Sequence, residues 1–328
     1  MNKAPGLKII FLIFFIFIFS IILYSIWYLQ LEKITTQELK SIQDSLLSRN
    51  IELTWEQATE SGFPYRIEKE LNNISLKFNN TKLSTEKLKI VYQPWNKKHI
   101  IFLIPNDINM FNKNEKLIIH NSKLLASLTI DNSSKKRISI ASDKIIFHFK
   151  NNIYDIGKME LHLKTEEIDD LQFAFLIEKL SFPPVFIEDY IINKLYFNGK
   201  ILKYKKIDTN NYLGWLSREG GIQIEDFQLA FDETNINGNA FVSLDKDFDI
   251  QSTLSVSSNN LNNIFILLKK NNYISKNTLK KTGLIINTIN FASEASNKEA
   301  FFSINIQNGY LYLMGIKLIK VPNLKKYL

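Results

Sequence analysis

The chain has 328 residues, 41 lysines and arginines against 33 aspartates and glutamates, a formal net charge of +8 and no cysteine. Its positive charge is scattered in short groups (Lys97-Lys98, Lys135-Lys136-Arg137, Lys269-Lys270, Lys280-Lys281, Lys325-Lys326). Without a basic helix, zinc-finger spacing or aromatic RNA-binding segment, these argue against nucleic acid as a partner. The missing cysteines leave no thiolate zinc site and are compatible with an oxidising compartment.

From Ile9 to Leu29 the sequence is apolar, relieved only by a few polar side chains such as Ser20 and Ser25. As a helix the run is about 30 Å long, which matches bilayer hydrocarbon. Tyr24, Trp27 and Tyr28 cluster at its far end, where rings can sit at headgroup level. The core is longer than that of a cleaved signal peptide and no small-residue cleavage site is evident. Residues 9–29 are therefore expected to be an uncleaved transmembrane anchor, preceded by a cytoplasmic segment 1–8. Lys3 and Lys8 precede the span, whereas Glu32, Lys33, Glu38 and Lys40 cancel beyond it. That bias places the amino terminus in the cytoplasm of a bacterium and the remainder in the periplasm, beyond the inner membrane.

Residues 30–49 predict an amphipathic helical stalk, with Leu31, Ile34, Leu39, Ile42, Leu46 and Leu47 at three-to-four spacing. From residue 50 to 328 the dominant period is two. Ile74-Leu76-Phe78, Leu88-Ile90-Tyr92 and Ile100-Phe102-Ile104 alternate with polar residues. So do Ile138-Ile140, Ile145-Phe147-Phe149, Met159-Leu161-Leu163, Leu171-Phe173-Phe175 and Leu195-Phe197 with Ile201. A further pair, Ile236 to Leu244 and Phe248 to Val256, flanks an Asp245-Lys246-Asp247 turn. Phe302-Ile304-Ile306 and Tyr310-Tyr312 flank Asn308-Gly309. Roughly fifteen strands with one apolar and one wet face predict a mainly β protein, built as a large curved antiparallel sheet or sheets. Helices are expected at Val185–Lys194, Asn260–Lys270 and Asn277–Ile289, capping the ends or mouth of the sheet.

The 24 Phe, 13 Tyr and 4 Trp either fill an ordinary core or line an apolar trough that a few short helices are too scarce to cover. Catalytic patterns are missing from the sequence. His99, His120, His148 and His162 lack metal-ligand spacing, and no nucleophile elbow, phosphate loop or dinucleotide fingerprint occurs. Glu166-Glu167 and Asp169-Asp170 suit a solvated turn better than a calcium loop. No enzyme, cofactor or metal site is expected.

Four local patterns occur in order: Trp55 and Ala58 before Gly62-Phe63-Pro64-Tyr65-Arg66; Tyr92-Gln93-Pro94-Trp95-Asn96 with His99; Trp215 with Gly220-Gly221; and Gly238 with Leu244-Asp245. Together they resemble DUF2125, a family of membrane-anchored alphaproteobacterial envelope proteins, over roughly residues 20–328. The resemblance implies an envelope setting and a strand-rich body similar in kind to AsmA-like proteins, whose sheets form hydrophobic grooves used in phospholipid movement. This chain departs from the family in being richer in lysine and asparagine. Physically, Gly62 permits a sharp turn and Pro64 fixes the next backbone angle, so Phe63 and Tyr65 are presented in set directions. Arg66 suits either an acidic neighbour or a lipid phosphate. Pro94 and Trp95 suggest a rigid corner packed against the core, and Gly220-Gly221 a tight turn that excludes side chains.

Two functions fit these features. One is a tethered periplasmic protein that binds or shuttles a phospholipid or other acyl-bearing molecule in an apolar β groove. The other is a non-catalytic scaffold or assembly factor that contacts envelope proteins through a sheet edge or apolar patch.

Overall fold

A computed structural model describes residues 5–324, except 113–114, 150–151, 167–168, 182–190, 208–211, 217–218, 264–265, 267–282, 284–287 and 290–298. The protein is mainly β, with few helices and antiparallel pairing between its strands. It divides into two compact units, Met1–Ile119 and His120–Leu328.

The first unit begins with one uninterrupted helix, α1 (Pro5–Leu47). Residues Phe11 to Leu23 are all exposed and, Ser20 apart, apolar, so the helix fits a single-pass membrane anchor. From Tyr24 onward it packs on a sheet of β1 (Ile51–Thr54), β2 (Gln57–Ser61), β3 (Ile67–Phe78), β4 (Thr81–Gln93), β5 (Asn96–Ile104), β6 (Ile108–Asn112) and β7 (Glu115–Asn121). The last two residues of β7 fall in the second unit. The long β3 and β4 pair from Ile67↔Tyr92 to Phe78↔Thr81 and form the spine. Shorter strands lie end to end along their outer edges. β1 and β2 share the free edge of β3, and β5 and β6 share that of β4.

The buried stripe of α1 differs from the expected one. Tyr28, Leu31 and Thr35 are buried, and Leu39, Gln43 and Leu46 half-buried, while Ile34, Ile42 and Leu47 face outward. The contact line follows Tyr24-Tyr28-Leu31-Thr35, a four-three-four spacing that keeps one side of a helix in register with a neighbour. Tyr28 and Leu31 form one cluster with Ile67 and Tyr92, with Ile90 packed beside it. Farther along, the Gln43 amide donates to the Leu53 carbonyl at 2.7 Å.

The second unit contains β8 (Leu124–Ile130), β9 (Lys136–Ser142), β10 (Ile145–Phe149), β11 (Asn152–Thr165), β12 (Leu171–Ser181), β13 (Ile191–Leu202), β14 (Gly221–Phe231), β15 (Thr234–Leu244), β16 (Ile250–Ser258), β17 (Ala300–Gln307), β18 (Tyr310–Leu313) and β19 (Ile316–Lys320). A short helix, α2 (Tyr212–Leu216), precedes β14. β11 to β19 pair in chain order. β9 and β10 lie end to end on the outer edge of β11, and β8 pairs with β9.

Of the three expected caps, Val185–Lys194 is overturned at its end: Ile191 to Lys194 belong to β13, where pairing of Ile192 with Leu180 and of Lys194 with Glu178 holds them in the sheet, and 185–190 lies outside the described residues. Leu261 to Asn263 and Ile266 are helical within the second segment. Gly283, Thr288 and Ile289 are helical in the third, and the rest of both lies outside the described residues.

One β-bulge in β14, felt by both of its neighbours, keeps the apolar side chains of β13 and β14 on one face. The alternation in β14 slips between Ile224 and Phe227, and register shifts occur there and at Asn198/Gly199. A bulge absorbs the extra residue, so Ile222, Ile224, Phe227 and Leu229 still point the same way. Gly238 lies opposite Phe227, and a Cβ there would stand 2.1 Å from the Ser255 carbonyl oxygen and 2.9 Å from the Phe227 ring. Gly238→Val is expected to destabilise this unit by about 2 kcal/mol. The expected observation is a lower melting temperature in the strand circular-dichroism signal, with a smaller loss for the exposed Asn239→Val.

Candidate functional site

Two constructions stand out, one in each unit. In the first unit, the end of the apolar helix is locked to the β2–β3 connection. The Tyr24 hydroxyl donates to the Pro64 carbonyl at 2.5 Å, and the Tyr28 hydroxyl to the Arg66 carbonyl at 2.8 Å. The Phe63 ring meets Tyr28 edge-on at 5.0 Å and lies 6.1 Å from Tyr24. Gly62 turns with φ +105°, and a Cβ there would meet the Arg66 carbonyl at 2.4 Å, so glycine is required for closure of this loop. The Phe63-Pro64 peptide is cis. Tyr24 and Tyr28 thus face protein instead of headgroups, and Trp27 is the ring that faces outward.

The same loop leaves large rings uncovered. Phe63 is 55% exposed and Tyr65 76%. In the β4–β5 turn Pro94 is buried, but Trp95 is 63% exposed. This corrects the expectation that the Pro94-Trp95 corner packs on the core: the proline anchors the turn and the indole is displayed. Because Ile67 pairs with Tyr92, both turns lie at one end of β3–β4, beside the exit of the apolar run. Trp55 belongs elsewhere. It joins β1 to β2 near the middle of β3, since Glu56 N–H donates to the Asn72 carbonyl, about five strand residues, or ~17 Å, from Ile67.

Above the loop, charges are held by partners. Arg66 pairs with Glu68 at 3.0 Å, satisfying the acidic-neighbour alternative, and Lys89 bridges Glu68 and Glu70 at 3.0 and 3.1 Å. Lys87 and then Lys89 hold the Glu70 carboxyl below its ordinary range. Lys69 is buried, with its amine between Thr36 of α1 and Glu60 of β2. The Glu32 carboxyl is pushed up, first by burial and then by the Glu60 charge. Its contribution therefore opposes folding increasingly as pH rises through the carboxylate range. Burial pushes the Tyr92 phenol up to about 12.

In the second unit, register aligns a continuous apolar face. One row runs Ala126, Ile140, Leu161, Phe175, Phe197, Phe227, Gly238, Val256 and Phe302. The adjacent row includes Leu163, Phe173, Ile224, Leu254 and Ile304. Leu161, Phe173, Phe175, Leu195 and Phe197 remain half-buried. At one end of the face Leu261 and Leu313 are buried together against Ile289, Phe302, Ile304 and Leu318.

The opposite face is polar. His162 contacts Ser139 at 2.9 Å and lies 3.6 Å from Glu160, which also pairs with Lys158. A depression of about 570 Å³ there is lined by Gln223, Glu225, Asn239, Phe241, Thr253 and Ser255 among others. His120 and His148 approach edge-on at 5.2 Å, and among the described residues no cluster of three or more His, Cys, Asp or Glu could hold a metal.

Trp215 and Gly220-Gly221 form a structural corner of this unit. The buried Trp215 donates its indole N–H to the Leu202 carbonyl at 2.7 Å and lies flat against Gly220, where a Cβ would stand 2.5 Å from the ring. The turn does exclude a side chain, and the object requiring it is the indole.

These features define a β-rich protein with an apolar N-terminal helix, an aromatic collar at the helix exit and a one-sided apolar sheet. The chain belongs to DUF2125, described as an uncharacterized protein conserved in bacteria, whose sequence model matches residues 32–322. No curated protein and no solved structure matches it significantly.

The Lys69 cluster yields a stability test. Glu60→Gln removes the counter-charge of a buried amine and is expected to cost about 3 kcal/mol, whereas Lys69→Met, which removes the charge itself, costs less. Thermal melts of the two variants, with hydrogen exchange across residues 57–72, check the order.

Proposed function

We propose that this chain is a membrane-anchored envelope protein whose β body binds, and by movement at the bilayer delivers, a phospholipid or other acyl-bearing molecule on the apolar face of its second unit. The observation that carries this reading is the register: apolar side chains align from β8 to β18 on one face and stay half-buried through the middle strands. A row of Phe and Leu wide enough for a hydrocarbon chain gains about 25 cal/mol for each Å² of apolar surface removed from water. The aromatic rings supply much of that surface without costly rotamer ordering. The kinship with AsmA-like proteins belongs to the same reading.

The apolar helix α1 supports a bilayer location, and Lys3 and Lys8 before the run support a cytoplasmic amino terminus with the body in the periplasm. A scaffold using an exposed sheet edge is less well supported, because β19 carries Lys317 and Lys320, and edge lysines oppose strand addition.

Full-length protein extracted in native lipid discs or mild detergent is expected to retain phospholipid by mass spectrometry. Phe175→Asp or Phe197→Asp lowers the retained lipid about tenfold, since placing a carboxylate on the face removes at least one ring's worth of contact. Tyr196→Asp, on the opposite face, leaves it unchanged. Equal loss in all three, or a wild-type chain carrying only the bulk lipid of its anchor, overturns this function.

A further inference from the structure

Half of α1 is committed to the β body. Tyr24 already binds the Pro64 carbonyl, so the part of the apolar run that precedes this attachment extends only from Ile9 to Leu23. At 1.5 Å per residue that segment is about 22 Å long, while bilayer hydrocarbon is about 30 Å thick. The remaining thickness must be supplied by Tyr24 to Leu29, whose outward residues Ile26, Trp27 and Leu29 are exposed and apolar. Those residues cannot enter the bilayer without carrying the loop that is hydrogen-bonded to their other side. The loop is built for that environment: Phe63, Tyr65 and Trp95 are all exposed at this end of the sheet.

We infer that the Gly62–Arg66 loop and the Pro94-Trp95 turn form an aromatic collar immersed in the headgroup and upper acyl region of the leaflet on the body's side. The occupant of this surface is the lipid interface itself. The proposal rests on α1 spanning the membrane, but does not depend on which way the chain is oriented.

Its geometry explains the distribution of chemistry around the loop. Exposed Phe, Tyr and Trp are stable at a bilayer interface, where an apolar ring body and a polar edge meet their separate solvents. The carbonyls of Pro64 and Arg66, which would be costly in that layer, accept hydrogen bonds from Tyr24 and Tyr28. Arg66 begins the next level, with its side chain 60% exposed and paired to Glu68, at the height of lipid phosphates. The ion ladder of Glu68, Glu70, Lys87 and Lys89 then lies above the collar, on the aqueous part of β3–β4.

The absence of cysteine from the sequence permits a direct depth measurement on the full-length protein. Single variants Phe17→Cys, Tyr65→Cys, Trp95→Cys and Lys77→Cys, each nitroxide-labelled and reconstituted in phosphatidylcholine–phosphatidylglycerol vesicles, place labels in the apolar run, the two turns and the far end of β3. Circular dichroism verifies the sheet in each. The readout is the ratio of collision rates with oxygen and with a water-soluble nickel chelate. The label at 17 is expected to give the highest ratio, those at 65 and 95 intermediate values several-fold above that at 77, and the label at 77 an aqueous value. If 17 is in hydrocarbon while 65 and 95 match 77, the collar proposal is overturned and the rings are left for a protein partner. If 17 is also aqueous, the anchor itself is refuted and the collar falls with it.

Discussion

Two tyrosine hydroxyls connect the apolar helix to the β body. Tyr24 and Tyr28, one helical turn apart, donate to carbonyls at either end of the Pro64–Arg66 segment. Each bond alone contributes on the order of 1 kcal/mol. Their value lies in what they order: the Gly62 turn closes beneath them, Phe63 packs against both rings, and Tyr28 joins Leu31, Ile67 and Tyr92 in a sealed cluster. The direction of α1 across β3, and with it the height of every exposed ring near the helix exit, follows from this attachment.

The second unit solves a different problem with one repeated device. Antiparallel pairing aligns every second residue, so an unbroken alternation would build the apolar face without further help. The sequence is not unbroken: β14 carries one residue too many between Ile224 and Phe227. A bulge takes it up, and the glycines at 199 and 238 admit close backbone approach where a side chain would collide with Gln223 or Ser255. The register of the whole face depends on these few irregular positions more than on any single aromatic ring. Trp215 acts similarly at the strand entrance, using the empty flank of Gly220 to fix the start of β14.

Much of the strand content was legible because period two is a strong local signal. The segments around Leu76, Ile90, Phe102, Leu161, Phe173, Phe197, Leu254 and Ile304 all lie in strands. β2, Gln-Ala-Thr-Glu-Ser, was not, because it is exposed along its length and gains its place only from pairing with β3. β8 is obscured in the sequence for the opposite reason: in Leu-Leu-Ala-Ser-Leu-Thr-Ile, adjacent apolar residues blur the alternation. On the candidate site, the sequence identified Gly62 to Arg66 and Pro94-Trp95 as notable, but not that they lie together. Local period says nothing about which turns share an end of a sheet. Composition points to the wrong helix face because Ile34 and Ile42 are more apolar than Thr35, yet Tyr24, Tyr28, Leu31 and Thr35 keep the spacing that contact requires. The buried Lys69 was invisible in one dimension, since its carboxylate arrives from β2 across the sheet and its hydroxyl from the helix.

The continuity of α1 has a mechanical consequence. No break occurs from Pro5 to Leu47, and the helix touches the sheet both at Pro64 and, about 28 Å farther along, at Leu53. With α1 as the membrane span proposed above, a lean to match a thinner bilayer turns β3 and β4 through the same angle, as a mast turns with its keel. In such a protein, bilayer thickness becomes an input that sets the inclination of the first unit, without a ligand, a charge or a hinge.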